Sequence, residues 1–435
     1  MTELPGPEAE GERIGAAPPV PPGGVRRLLT TAAIDVGPLR RHRDFRLLWI
    51  GQAVSFLGSE LTFVAFPFQA YQISHSSFVV GLLGLVELVP LLLSAVVGGA
   101  LADAFDRRRM MQVTELAFAA ASAALVANAL LPHPRLSVIF ALAAVMAMLD
   151  GLQRPSLDAL TPRLVGRDEL AAAGALSSFR MTLGMVAGPA VAGLLIASIG
   201  VAGTYAVDVA TFIVSLVCLR MMRAVPPPPE AEPPSLRRIA AGFTYARSRQ
   251  ELVGTYAVDI VAMLFGMPEA LFPAVAAKLG GPGVLGLLFA APAAGSLIAT
   301  VTSGWVGRVR RHGAAVCVAA AVWGLGIIGF GLAPNLGLAL AGLAVAGGAD
   351  MVSGIFRSTI WNQTIPDHLR GRLAGIEQVS YSTGPLLGNV ESGAVASLTS
   401  VQFSVVSGGL LCVAGVGVCV AALPAFWRYR AALES

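Results

Sequence analysis

Charge is scarce in this chain. Asp, Glu, Lys and Arg together make up 13% of its 435 residues, about half the ~25% typical of soluble domains. Lysine is scarcer still, with Lys278 the single example. No Gly-x-x-x-x-Gly-Lys-Ser/Thr phosphate loop can be built around it, which disfavours ATP-driven pumping by this chain. The five histidines, His42, His75, His133, His312 and His368, fall in loops or at the ends of apolar runs. They form no cluster, and no Ser/His/Asp set accompanies them. The four cysteines, Cys218, Cys317, Cys412 and Cys419, lie inside apolar runs without metal-ligand or redox spacing and read as packing residues. Neither a metal nor a cofactor is expected. The net charge of +4 comes almost wholly from arginine spread between apolar runs, so nucleic acid is not an expected partner.

What is abundant is apolar sequence. Hydrophobic residues make up 55% of the chain, and a bilayer-spanning helix needs about 20 of them in succession. Twelve such runs are readable, at 45–70, 78–102, 110–131, 137–160, 171–198, 204–222, 251–277, 283–306, 314–333, 337–363, 373–399 and 402–424. The expected fold is therefore an all-α integral membrane protein of two six-helix halves. Its expected divisions are a disordered arm at 1–43, a bundle at 44–222, a linker at 223–250, a second bundle at 251–424 and a tail at 425–435. The arm is polar and Pro-rich, and no cleavable signal peptide is expected. The linker opens with four prolines, Pro226 to Pro229, and reads as extended. After them Leu236, Ile239, Ala240 and Phe243 recur at helical spacing among arginines, the pattern of a short helix lying on the membrane surface.

Orientation follows from counting. Of 30 basic residues, Arg135 and Lys278 fall in loops on one side and Arg154, Arg180 and Arg357 fall inside helices, which leaves 25 on the other side. Such a bias places both termini in the cytoplasm, with the lipid bilayer of the cell membrane as surroundings.

The most informative stretch is 81–111. One apolar run ends at Asp103, and Asp106, Arg107, Arg108 and Arg109 precede the next. Two helices thus meet in a short charged hairpin. Gly98 and Gly99 permit close approach of another helix. Asp103 ends its own helix, where the dipole disfavours a negative charge, so it needs outside partners; the start of the eleventh run, near Arg372, is the expected one. An ion cluster at the membrane surface that forms and breaks as helices move is a conformational switch.

Ionisable residues inside membrane helices are functional candidates, because each costs several kcal/mol unless paired or hydrated. The fourth run carries Asp150, Arg154 and Asp158 on one face, by their spacing of four. At ~1.5 Å per residue Asp150 lies about 20 Å from the run's start, and Asp158 lies near the cytoplasmic edge, in reach of Asp103 and Arg107. Other buried charges are Glu60, Glu87, Glu115, Arg180, Asp208, Asp259, Glu269, Asp350, Arg357, Glu377 and Glu391. Counting puts Asp259 and Asp350 near mid-membrane, where a carboxyl group can bind a proton in one conformation and release it in another. Glu115, Asp208 and Glu269 are expected at helix edges or in structural pairs. Tyr256, Trp361, Asn362 and Gln363 lie at a similar level and suit either ligand contact or packing.

The halves are related in sequence. Gly81-Leu82-Leu83 recurs as Gly286-Leu287-Leu288 and Gly99 recurs as Gly304, both 205 residues on. Gly188-Pro189 with Gly193 recurs as Gly384-Pro385 with Gly388. Two parallel six-helix repeats are what a rocking transporter uses.

The hairpin residues Gly99, Asp103, Ala104, Asp106, Arg107 and Arg108 resemble the loop between the second and third helices of the major facilitator superfamily, Gly-x-x-x-Asp-(Arg)-x-Gly-(Arg)-(Arg). The first arginine is absent, and Asp106 replaces the second glycine. That departure, and the turn 161–170 with the AAAGAL after it, are similar to the branch that holds the enterobactin exporter and drug:proton antiporters. The resemblance covers about residues 40–430. It implies that the first, fourth, seventh and tenth helices line a central cavity, with Glu60, Asp150, Arg154, Asp259, Asp350 and Arg357 as proton or substrate residues. It implies a switch of Gly99, Asp103, Arg107, Arg108 and Asp158. Gly184, Gly188, Pro189 and Gly193 resemble the superfamily's antiporter motif, Gly-x-x-x-Gly-Pro-x-x-Gly-Gly, with Ala192 at one glycine; a bent, close-packed helix there is expected to seal the cytoplasmic side. Together these imply a monomeric, proton-coupled exporter of a small amphipathic molecule such as a siderophore, drug or secondary metabolite. A nutrient importer of the same fold is the alternative within transport. A polytopic enzyme or sensor lacks the side chains it would need.

Overall fold

The computed structural model describes residues 35–225 and 244–430, except the side chains of residues 96, 99, 100, 102–104, 367–372, 374–376 and 378. The arm before residue 35, the linker prolines and the expected surface helix around Leu236 to Phe243 lie outside the described residues, as do the side chains of Gly99, Asp103 and Arg372.

The described chain is helix joined by short turns, with no strand among the described residues. Helix α1 is Gly37–Arg41, α2 Arg43–Ser74, α3 Ser77–Ala104, α4 Arg107–Ala129, α5 Leu136–Leu164 and α6 Leu170–Met221. After the undescribed segment come α7 (Gln250–Gly266), α8 (Phe272–Leu279), α9 (Pro282–Val301), α10 (His312–Leu332), α11 (Leu336–Thr364), α12 (Asp367–Leu398), α13 (Val401–Ala422) and α14 (Pro424–Trp427). Among the described residues, ten helical stretches are long and apolar enough to cross a membrane. Their outer faces carry bare apolar side chains such as Val301 and Val418, 78% and 67% exposed. Water would penalise such a surface, whereas lipid is its natural neighbour.

Local chemistry sets the ends. Ser76, Asp106, Asn335 and Ser400 cap α3, α4, α11 and α13, each accepting from a backbone N–H three residues on. The 52 residues of α6 are ~78 Å of helix, far more than the ~30 Å hydrocarbon core. The chain turns back at Gly200, whose φ of 75° and ψ of 175° interrupt the helix. Only glycine takes that conformation without strain.

Three boundaries differ from the sequence expectation. The arm is helical at its end: Pro38 opens α1, and α2 starts at Arg43. Arg41 and His42 both contact Glu169 in the turn before α6, which anchors the segment. The linker expected to run to 250 is already helical at 244–248. The seventh run is two helices, because Pro268 has no N–H to donate and holds Met267 in extended backbone at φ −104°, ψ 98°. A single 3₁₀ turn, Glu269–Leu271, bridges α7 to α8.

In the first half α2 packs on α6, α3 on α5, and α4 on α5 and α6. In the second, α11 packs on α9 and α10, while α7 packs on α12 and α13. The halves meet along two main seams, α3 with α12 and α6 with α9. Both are glycine seams, and they are built by the internal repeat. A Cβ on Gly81 would lie 2.3 Å from the Asn389 carbonyl oxygen, and one on Gly286 would lie 2.4 Å from that of Pro189. Backbone therefore meets backbone, as small-residue helix interfaces allow.

Two acids expected at helix edges or in structural pairs are core residues held by structural partners. Glu115 and Asp208 are fully buried. Glu115 accepts from Gln52 at 2.7 Å, Gln153 at 2.9 Å and Ser55 at 3.1 Å. Asp208 accepts from Thr62 at 2.5 Å and Ser122 at 2.7 Å. Amide and hydroxyl donors from neighbouring helices replace water here, as burial of a carboxyl requires.

Candidate functional site

Two adjoining cavities of about 640 and 620 Å³ lie between the halves. They share Glu60 and Phe63 of α2 and Met181 of α6, so they adjoin at these side chains as two lobes. All six charged residues expected in a cavity line it. Asp150 and Arg154 face the first lobe, Asp259, Asp350 and Arg357 the second, and Glu60 both. The apolar wall is rich in methionine, with Met181, Met185, Met263, Met267 and Met351, a flexible and polarisable lining.

The lobes carry matching acids with different partners. Helices α5 and α11 are both 29 residues long, and Asp150 and Asp350 each stand 14 residues after the first. Asp150 meets Arg154 one turn on, at 3.9 Å, with both side chains about half exposed. Such a pair is loose and contributes little. Asp158 lines the same lobe within the field of Arg154 and Arg180. The Arg180 guanidinium lies 5.9 Å over the Phe56 ring and donates to the Gln52 carbonyl at 3.2 Å.

In the second lobe Arg357 is clamped. It contacts Asp259 of α7, and its Nη2 donates to Asp350 Oδ1 at 3.3 Å. Ser380 of α12 donates to the other Asp259 oxygen at 3.2 Å. The guanidinium lies 5.2 Å over the Tyr381 ring. Two carboxylates thus share one arginine.

A third acidic set spans the halves. Glu269 lies close enough to act electrostatically on Glu60 and Glu87 of the first half. The three come from α2, α3 and the turn before α8, and all line the cavity. None of them makes an ion pair among the described residues. Glu269, expected at a helix edge or in a structural pair, lines the cavity: Pro268 breaks the helix and turns this segment inward, and Asn389 of α12 accepts from the next N–H, that of Ala270, at 3.0 Å.

At the arginine-rich turn, Arg107 is buried and donates to the Ala159 carbonyl at 3.1 Å. Arg108 donates to the carbonyls of Leu219 at 2.8 Å and Arg220 at 3.1 Å. Arg108 thus binds the C-terminal end of α6, where carbonyls lack partners and the dipole favours cations, while Arg107 holds α5 near its last turns. Asp106 caps α4 through the Arg109 N–H at 3.1 Å, a task a glycine side chain could not perform. The switch residues Gly99 and Asp103 fall on undescribed side chains, and Asp158 faces the cavity, one residue from the carbonyl Arg107 holds.

The glycine motif of α6 divides its contacts. A Cβ on Gly184 would meet the Phe56 ring at 2.4 Å, and one on Gly188 would meet Glu60 Cβ at 2.4 Å, both on α2. Gly193 faces the other half: its Cβ would lie 2.7 Å from the Pro282 carbonyl and 2.9 Å from Gly286 Cα. This contact lies deep in the helix, since Gly193 is 23 residues past the start of α6 and seven before its break at Gly200. Tyr256 and Trp361, expected as possible ligand contacts, stack on each other at 5.8 Å behind the cavity wall. Trp361 donates to Thr255 at 2.9 Å, and Gln363 accepts from Tyr429 at 3.2 Å; neither they nor Asn362 line the cavity.

Sequence reasoning did not place Glu87, Glu269 and Arg180 in the cavity. For Arg180 a signal was present: it precedes Gly184 and Gly188 at steps of four, on the face that packs on α2.

Comparison with known proteins agrees with this geometry. The family described as Transmembrane secretion effector matches residues 33–431. A protein named Enterobactin exporter EntS from Shigella boydii serotype 4 (strain Sb227) is 30% identical over 385 residues, covering 88% of this chain and 92% of the relative. Its counterpart from Citrobacter koseri is 29% identical over the same length, with the same coverage of each chain. Among solved structures, a POT family transporter in complex with 5-aminolevulinic acid superposes with a TM-score of 0.69 at 11% identity, over 88% of this chain and 97% of that one. The nucleoside transporter NupG does so at 0.69 and 12%, over 89% and 99%; at such identities the likeness is one of fold. The chain belongs to the transmembrane secretion effector family of the major facilitator superfamily.

Proposed function

We propose that this protein exports a small amphipathic, siderophore-like molecule in exchange for protons, by alternating access across twelve membrane spans arranged as two six-helix halves. The observation that carries this reading is the charged cavity between the halves. It is lined from both sides, and the two glycine seams hold its walls together at the end away from the arginine-rich turn. In that state cargo enters from the arginine side. Rocking of the halves about the cavity opens the glycine seams and closes the other end. The arginine distribution supports a cell-membrane protein with both termini in the cytoplasm, which makes the arginine side the cytoplasmic one. The relatives named enterobactin exporters support an outward direction and a siderophore as cargo.

Intramembrane carboxyl groups supply the coupling. A proton and a positively charged or hydrogen-bonding cargo group compete for the same negative site, so each leaves as the other arrives. Arg107 and Arg108 hold the ends of α5 and α6 in place at the cytoplasmic rim. The working unit is one chain.

The test uses inside-out vesicles with an acidified lumen and enterobactin as first cargo. Accumulation that a protonophore abolishes is expected. Accumulation only in right-side-out vesicles would establish import and overturn the proposal.

A further inference from the structure

The second lobe divides its two carboxyl groups into different jobs. The Arg357 side chain is 3% exposed and that of Asp259 is 5%, whereas that of Asp350 is 39% exposed on the cavity. Asp259 has two fixed partners, Arg357 and the Ser380 hydroxyl. Asp350 has one, a 3.3 Å contact from Arg357, reached across two helical turns. A buried arginine needs one full counter-charge to remain folded, and Asp259 supplies it. Asp350 is then the surplus charge: two acids, one arginine, and the less enclosed acid facing the space where cargo sits.

We infer that Asp350 is the exchangeable carboxyl group of this transporter, taking a proton or the cargo in turn, and that Asp259 is the positioning residue that holds Arg357 through the whole cycle. The inference rests on the proton-coupled reading and names the residue that performs it. When Asp350 takes a proton, Arg357 keeps its charge balanced by Asp259, so no uncompensated charge is left in the membrane. When Asp350 is ionised, Arg357 donates to it as well. The arginine therefore acts as a fixed donor in both states, and the ion pair that breaks is the exposed one. The same step cannot run through Asp259, because protonating it would leave Arg357 with a single, half-exposed partner.

The groups facing Asp350 are few. From its own helix comes Arg357 and from α7 Asp259, with Trp323 of α10 beside them. From α12 comes Tyr381, whose phenol lies in the field of Asp350. Helix α9 contributes no titratable side chain. The pseudo-equivalent Asp150 lacks this arrangement: its arginine is about half exposed and pairs with no second, buried acid among the described residues.

The test needs no cargo. Full-length protein in liposomes is titrated and followed by infrared difference spectroscopy in the carboxyl C=O region. Wild type should show protonation-dependent carboxyl bands. D350N should lose one of them while keeping its melting behaviour, and D350E should keep a displaced one. D259N should retain the Asp350 band but move its midpoint, since Arg357 then has Asp350 alone. Loss of a band in D259N with none lost in D350N would overturn the assignment. So would D350N and wild type giving the same spectrum, or D259N leaving the midpoint in place. If the wild type shows no titrating carboxyl band at all, the proton-coupled reading fails as well, which separates the two failures.

Discussion

Replacing Gly286 with alanine probes the closed seam with a single methyl group. Its Cβ would fall 2.4 Å from the Pro189 carbonyl oxygen and 2.9 Å from Gly193 Cα, where ordinary contact begins at 3.4 Å. Relief requires about 1 Å of separation, the difference between 3.4 and 2.4 Å. The obstacles are backbone atoms of α6, so no side chain can swing aside. Overpacking of this kind costs about 1–3 kcal/mol, and the cost falls only on the state in which α6 and α9 touch. Since every ~1.4 kcal/mol is tenfold, the population of the seam-open state should rise roughly 5- to 150-fold. Spin labels placed at Leu194 and Leu287, both exposed on the outer surface near the seam, read the separation in full-length protein in nanodiscs. G286A should broaden and lengthen that distance distribution. Gly304 is the control: a Cβ there meets nothing within 4 Å, and G304A should match wild type. A wild-type distribution in G286A would refute the claim that this glycine seam holds the observed state.

Further outcomes follow from other contacts. Gly200→Ala forces a side chain into φ 75°, ψ 175° and should lower stability by about 1–3 kcal/mol, read as a lower midpoint in a thermal melt; an unchanged midpoint would argue against the break. Asp106→Ala removes the cap of α4 and should cost about 1 kcal/mol, with Asp106→Ser restoring most of it in the same melt. Arg357→Met leaves Asp259 buried without its cation and should destabilise by about 3–5 kcal/mol. Adding Asp259→Asn should recover much of that loss, and a double variant no better than the single one would show that the pair does not balance itself.

An all-helical membrane fold was readable because lipid demands long apolar runs, and ten helical stretches among the described residues are long and apolar enough to cross a membrane. The turn at Gly200 and the break at Pro268 were visible as residues but not as geometry. A glycine between apolar runs does not announce that its φ is positive, and Pro268 sits among residues apolar enough to continue the span. The pairing of charges was legible where partners share a helix, as Asp150 and Arg154 do. It was not where partners come from different helices. Arg357 sits with Asp259, 98 residues away in sequence, and Glu269 sits near Glu87 because α3 packs on the turn before α8. Glu115 and Asp208 are a related case. Their partners are Gln52, Ser55, Thr62, Ser122 and Gln153, common neutral residues whose donor role exists only once α2, α4, α5 and α6 are packed. The antiporter-like glycines read as small residues on one face, but their division between α2 and α9 appears only in the packed structure.

The central claim is exchange of cargo against protons through this cavity. Its most direct test loads purified protein into liposomes with a pH-sensitive dye in the lumen and no imposed pH gradient. Enterobactin, the cargo named for the relatives, is then added outside at high concentration to drive entry down its own gradient. Exchange requires protons to leave as cargo enters, so the lumen should become alkaline. Acidification would mean that proton and cargo travel together, and cargo entry with no pH change would mean that no proton is coupled; either result contradicts the exchange.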